Sequence, residues 1–205
     1  MDQSATTSID RKMMTRCIEL SRTAGRLGEF PFAALVWVGG TVIAEGVNHV
    51  IREADVTRHA ELIAISEAQK ALGRNDLSDC TIYSNVEPCA MCSFPIRETR
   101  LRRVVYAIRS PLMGGFSKFE ILNDSEISNI MPEGFGDVPQ IVGGMLSREA
   151  EQVWLKWNPI IWGVIRYRGC FGGSPAANAY AHRSELVPRR GFNWRKMAHA
   201  MTSKA

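Results

Sequence analysis

Two short motifs constrain this chain more than anything else in it: His59-Ala60-Glu61, and then Pro88-Cys89-Ala90-Met91-Cys92. One imidazole and two thiolates can hold a zinc ion with a fourth position left open for water, and a free glutamate beside the histidine can move protons to and from that water. Any fold must therefore bring these two stretches together. The segment from Arg58 to Leu72 carries Leu62, Ile63, Ile65, Ala68 and Leu72 near the three-and-four spacing of an amphipathic helix, so His59 opens a helix. Residues two apart on a helix point about 200° away from each other. Glu61 is thus badly placed to share a metal with His59 and is expected to reach under the water instead. Cys89 and Cys92, at the start of a second helix, put both sulfurs on one side, where the positive helix end favours thiolates. The expected arrangement is His59, Cys89 and Cys92 as metal ligands and Glu61 as the catalytic proton carrier.

A Cys-x-x-Cys pair can also be a redox couple or half of a structural zinc site. A structural site normally closes with four protein ligands, and no second Cys-x-x-Cys or His-x-x-x-His lies nearby. A redox pair would leave His59-Ala60-Glu61 unexplained. Ligand softness points to zinc, with iron as the alternative.

At 205 residues and 45% hydrophobic content the chain can bury one substantial core. It reads as a domain over 1–170 followed by a linker and basic arm over 171–205. No apolar run approaches the roughly 20 residues needed to span a bilayer. Met1 to Asp10 lacks the basic and apolar regions of a secretory signal. Cys17, Cys80 and Cys170 form an odd set, which speaks for buried thiols in a reducing cytoplasm. Helical spacing runs from Asp10 to Arg26, and strands are expected at Phe32–Val38 and Thr41–Val47 around a Gly39-Gly40 hairpin turn. Further strands are expected near Thr81–Val86, Arg103–Ile108 and Pro139–Val142, and helices at Phe116–Leu122 and Leu146–Trp157. The alternation predicts a single mixed α/β sheet with both motifs at strand-to-helix junctions, where open α/β sheets bind ligands.

From about Gly28 to Trp157 the chain resembles the cytidine deaminase-like superfamily, in particular the branch of tRNA adenosine deaminases, guanine deaminases and fungal-type cytosine deaminase. His-x-Glu followed by Pro-Cys-x-x-Cys is the motif pair of that group. Pro31-Phe32-Ala33-Ala34 is similar to its first strand, and Glu45-Gly46-Val47-Asn48 to its second strand with a base-contacting asparagine. The resemblance implies a three-layer fold with a central mixed five-stranded sheet and helices on both faces. It also implies zinc-dependent hydrolytic deamination with release of ammonia. Asn48 would grip the ring edge, while the Ala60 backbone N–H and the Glu87 backbone carbonyl would contact the substrate beside the metal. The Glu87 side chain is expected to support its loop. Phe30 or Phe32 could wall a base pocket. Trp154, Trp157 and Trp162 could close it as a lid, Trp154 being the one best read as core.

The favoured substrate is a small nucleobase, nucleoside or related heterocycle. In guanine deaminases an aspartate follows the strand matching Arg103–Ile108, but Arg109 to Gly115 has no acidic residue, leaving Glu120 or a tail residue for that task. Residues 183–205 hold six Lys or Arg and one Glu, so residues 1–182 carry 19 basic and 20 acidic side chains. A nearly neutral body lacks the broad basic face that grips an RNA backbone, which puts tRNA second. The tail places Arg189, Arg190, Arg195 and Lys196 around Phe192 and Trp194. It could hold nucleic acid, but an arm crossing to another subunit is the preferred reading, and a homodimer is implied by the resemblance. His182 and His199 lack metal-ligand spacing. A catalytically silent zinc-fold protein that binds nucleic acid is the reading from a different class, and Glu61 speaks against it.

Overall fold

The computed structural model describes residues 7–172. Of the expected linker and arm over 171–205, residues 173–205, with His182 and His199, lie outside the described residues. The chain enters through α1 (Ser8–Arg26), whose start is held by a capping box: the Thr7 side chain accepts from the Asp10 N–H, and the Asp10 side chain accepts from the Thr7 N–H. The hairpin β1 (Ala33–Val38) and β2 (Thr41–Val47) follows, then α2 (Ala60–Leu72), β3 (Thr81–Val86), α3 (Ala90–Glu98) and β4 (Arg103–Ile108). The last elements are α4 (Ser125–Ile130), β5 (Gln140–Gly143), α5 (Ser147–Trp157) and α6 (Pro159–Tyr167).

The five strands form one mixed sheet in the order β2-β1-β3-β4-β5. β1 runs antiparallel to both β2 and β3, while β3, β4 and β5 are parallel. Side chains alternate between two cores, as the two-residue period of a strand demands. Ala33, Leu35, Tyr83, Val105 and Ala107 pack with residues of α1, α5 and α6. Ala34, Val36, Ile82, Val104 and Tyr106 pack with residues of α2 and α3. Helices therefore cover both faces, and all six residues of β3 are buried. Gly46 lets β2 approach α2: a Cβ there would lie 2.2 Å from the Ala60 carbonyl oxygen. This contact fixes where α2, and so His59, begins.

One expectation changes, and two helices appear that the sequence analysis does not predict. Phe116–Leu122 is not a helix but a series of turns, with Glu120 in the left-handed region (φ 56°). The Glu87 carboxylate accepts from the N–H groups of Phe116 and Ser117, and the next two N–H groups, of Lys118 and Phe119, both turn back to the Gly114 carbonyl, closing the chain into turns. The short helix of this region is α4, capped by Asp124. After α5 the chain does not leave helical structure: Asn158, extended at φ −160°, caps α6 by accepting from the N–H groups of Ile160 and Ile161. Among the described residues no helix is long and apolar enough to cross a membrane. Cys17 and Cys80 are buried free thiols and Cys170 a half-buried one.

Candidate metal centre and adjoining cavity

His59 and Cys89 occupy the N-cap positions of α2 and α3, both with extended backbone, and neither side chain caps its own helix. Both are thereby free to turn toward each other. His59 Nδ1 lies 3.6 Å from Cys89 Sγ and 3.5 Å from Cys92 Sγ, and the two sulfurs are 3.6 Å apart. Tetrahedral zinc, with bonds of about 2.0–2.1 Å to nitrogen and about 2.3 Å to sulfur, separates its ligand atoms by about 3.5–3.8 Å. The three side chains fit that ion, and as a set of three they leave one position open.

Hydrogen bonding divides the protons of the cluster unevenly. The Cys89 thiol is pushed down to about 4 by its hydrogen bond with Cys92, against the effect of burial, with His59 adding to the shift. Cys92 is pushed well above the usual thiol range by that same bond and by burial. The hydrogen bond to Cys89 raises His59. One thiolate thus stands ready, and a bound metal would displace the protons of the other two groups.

Glu61 is buried, with one oxygen accepting from Ser84 Oγ at 3.1 Å and the other facing Cys92 Sγ at 3.6 Å. Burial, with the nearby Cys89 charge, raises its pKa, as suits a group that must both take and give a proton. The cluster opens on a cavity of about 150 Å³. His59, Glu61 and Cys89 line its polar side, and Phe32, Val86, Met113 and Phe171 its apolar side, with Glu87 and Ser110 completing the lining.

The remaining expected residues lie nearby in different settings. Ala60, the first residue of α2, is buried. The Glu87 side chain supports its loop, accepting from the N–H groups of Ser110, Phe116 and Ser117 and from Ser117 Oγ. Asn48 is buried outside the cavity lining, its backbone N–H bonded to the carbonyl of Phe32 and its side-chain amide donating to Glu29. Glu29, which sequence reasoning missed, is wholly buried and also accepts from the N–H groups of Ile51 and Arg52. Asn85 is a second missed support: it accepts from the Ala33 N–H and donates to the Pro31 carbonyl, fixing Phe32 between them. Glu120 is exposed and away from the cavity. The tryptophans are not a lid over this cavity: Trp154 and Trp162 are buried, and Trp157 packs against the same core. Ser84, Asn85 and Phe171 carry no local signal of the contacts they make.

Residues 7–108 match the family described as the cytidine and deoxycytidylate deaminase zinc-binding region. The chain is 32% identical over 145 residues to the tRNA-specific adenosine deaminase of Haemophilus influenzae, covering 70% of this chain and 79% of that protein. It is 33% identical over 141 residues to the tRNA(Ile)-lysidine synthase of Deinococcus deserti, covering 68% of this chain but only 25% of that longer protein. A solved structure from studies of A-to-I editing by tRNA:A34 deaminases superposes with a TM-score of 0.61 at 29% identity, covering 69% of this chain and 98% of its own. The guanine deaminase from Nitrosomonas europaea superposes with a TM-score of 0.58 at 25% identity, covering 73% and 84% of the two chains.

Proposed function

The chain belongs to the cytidine deaminase-like superfamily, and from that premise we propose that it removes ammonia hydrolytically from a small amino-substituted nucleobase, nucleoside or related heterocycle. The observation that carries this reading is the buried Glu61 carboxylate beside the His59, Cys89 and Cys92 cluster, where the cluster opens on a ring-sized cavity walled by Phe32 and Phe171. Zinc held by those three side chains supplies Lewis acidity, lowering the pKa of water toward about 7.

Glu61 accepts a proton from the attacking water as its oxygen bonds to the ring carbon that bears the amine. It passes that proton to the adjacent ring nitrogen, and the second water proton then follows the amine as the carbon–nitrogen bond breaks. The products are the oxo heterocycle and ammonia. Ser84 holds one Glu61 oxygen so that the other faces the cluster. In this reading the Ala60 N–H, in the first turn of α2 where helices leave donors unpaired, and the Glu87 carbonyl orient the ring, and the Asn48 amide joins them only by turning from Glu29 toward the cavity.

A small substrate is supported by the cavity volume and by the near-neutral charge of residues 1–182. The tRNA adenosine reading is supported by the likeness to tRNA-specific adenosine deaminases. Ammonia release from zinc-loaded protein decides between them, using cytosine, adenine, guanine, their nucleosides, triazines, pterins and a tRNA anticodon stem. Release from one small heterocycle is expected, with turnover falling by about 10²–10⁴-fold in Glu61→Gln while zinc content is retained. Release from tRNA alone would overturn the small-substrate reading, and silence throughout would favour the non-catalytic nucleic-acid-binding alternative.

Pairing of two copies belongs to the same proposal. It is supported by the exposed Met91 and Phe94 on α3, with Phe135 edge-on to Phe94 at 5.9 Å. Light scattering should give a dimer mass for the native chain and a monomer mass for Phe94→Asp; a native monomer would end this reading.

A further inference from the structure

The metal cavity of about 150 Å³ adjoins a depression of about 250 Å³, and three residues line both: Phe32, Met113 and Phe171. Met113 stands at the rim, 41% exposed, and Phe32 is fixed to the sheet through Asn85. Phe171 is only 4% exposed, yet it belongs to no helix or strand. Beyond α6 the chain turns back at Gly169 (φ 69°), with the Cys170 N–H donating to the Ile165 carbonyl at 3.1 Å. Two bonds then strap it to the residues just past β4: Ser110 Oγ donates to the Cys170 carbonyl at 3.2 Å, and the Gly172 N–H to the Arg109 carbonyl at 2.8 Å. Between these bonds the Phe171 ring is set edge-on to Phe32 at 5.9 Å and to Trp154 at 5.4 Å. The Ser110 N–H donates to Glu87 Oε2, so the carboxylate that gathers the loop beside Cys89 also holds this strap.

We infer that Phe171 sets the size of the substrate: as the inner wall between the two spaces it confines the metal cavity to one unsubstituted ring system, and so selects a free base over its nucleoside. Pockets for drug-sized ligands run about 300–1,000 Å³; the metal cavity falls below that range, and the two spaces joined would fall within it. The reacting carbon of a substrate must lie toward His59, Glu61 and Cys89, which turns the far edge of the ring, with anything attached to it, onto Phe32, Met113 and Phe171. A sugar there meets packed aromatic carbon where it needs space, and its hydroxyls lose water without a partner on either phenyl ring. Phe171→Ala removes the wall and opens the cavity into the depression. The selection of a free base rests on the deaminase reading, whereas exclusion of a substituted ring is measured without turnover.

The experiment uses cobalt-substituted full-length protein, whose visible spectrum reports a nitrogen ligand entering the open metal position. Two probes are titrated: imidazole, a bare ring, and 1-benzylimidazole, the same ring with a bulky substituent. The native chain should bind 1-benzylimidazole about 100-fold more weakly than imidazole, and Phe171→Ala should narrow that gap by about 10-fold or more. Ser110→Ala, which releases one end of the strap but keeps the ring, should narrow it less. Equal binding of the two probes by the native chain, or a gap that Phe171→Ala leaves unmoved, overturns the proposal. The native comparison gives its answer even if Phe171→Ala fails to fold, and Phe171→Leu, which shortens the wall with another apolar side chain, repeats the variant test. No spectral response to imidazole in any form would overturn the open metal position and the proposal with it. In turnover, zinc-loaded native protein should release ammonia from cytosine, adenine or guanine with a kcat/KM about 100-fold above that of the matching nucleoside, and Phe171→Ala should bring the two closer. A native preference for the nucleoside overturns the selection of a free base. No ammonia from any of these compounds, with the probe gap present and narrowed by Phe171→Ala, would instead count against the deaminase reading and leave Phe171 as the size limit.

Discussion

Glu87 concentrates much of the site's rigidity in one carboxylate. Its two oxygens accept from three backbone N–H groups and one hydroxyl, which is about all that a carboxylate can take. The loop it gathers also pairs Gly114 with Cys89 and sends the Gly115 N–H to the Pro88 carbonyl. Gly114 has to be glycine, since a Cβ would lie 2.0 Å from Glu87 Oε1. Glu87→Ala should therefore lose about 3–5 kcal/mol of stability in urea unfolding and weaken zinc binding, because Cys89 loses the loop that braces it. Unchanged zinc affinity would show that the loop does not position Cys89. At this scale the gathering of His59, Cys89 and Cys92 is legible in the sequence, since each motif is local and its chemistry is distinctive. Glu29, Ser84 and Asn85 are not legible, because their partners lie on segments remote in the chain and a lone polar residue gives no hint of which carbonyl or amide it will meet.

The helices that frame the site begin without side-chain caps. Residues at such positions normally accept a hydrogen bond from the first turn, worth about 1 kcal/mol, yet His59 and Cys89 turn their side chains toward each other instead. The elements compensate elsewhere: β2 is pressed onto α2 through Gly46, and the Cys89 carbonyl accepts from the Ser93 hydroxyl within α3. Strands and long amphipathic helices are legible because their periods repeat over several residues. The errors fall where local pattern and tertiary contact disagree. Phe116–Leu122 looks helical but is gathered into turns around Gly114, with the Phe116 and Ser117 N–H groups held by Glu87. At Asn158-Pro159 a further helix starts that the sequence analysis does not predict, and its apolar side, Ile161, Trp162 and Ile165, joins the core.

Across the whole molecule, Asp10 ties the first helix to the sheet. It accepts from the Tyr83 hydroxyl on β3 at 2.8 Å and is paired with Arg103 on β4. Burial alone would raise its pKa, but the Arg103 guanidinium, with the Thr7 N–H and Tyr83, holds it at about 2. A carboxylate depressed in the folded state stabilises the protein above its unfolded pKa and loses that contribution as pH falls through the folded value. Asp10 should thus contribute about 2–3 kcal/mol near neutrality, fading between about pH 4 and pH 2. Asp10→Asn should flatten the dependence of the urea midpoint on pH over that window; an unchanged slope would show that Asp10 is not the titrating group. The molecule also separates two tasks by segment. In the proposed reading, proton transfer and metal binding sit at the starts of α2 and α3, while the apolar walls of the adjoining cavity come from Phe32 before β1, Met113 in a loop and Phe171 beyond α6. A lineage built on this plan can change what it accepts by drift in any of those three segments while its chemistry is inherited intact.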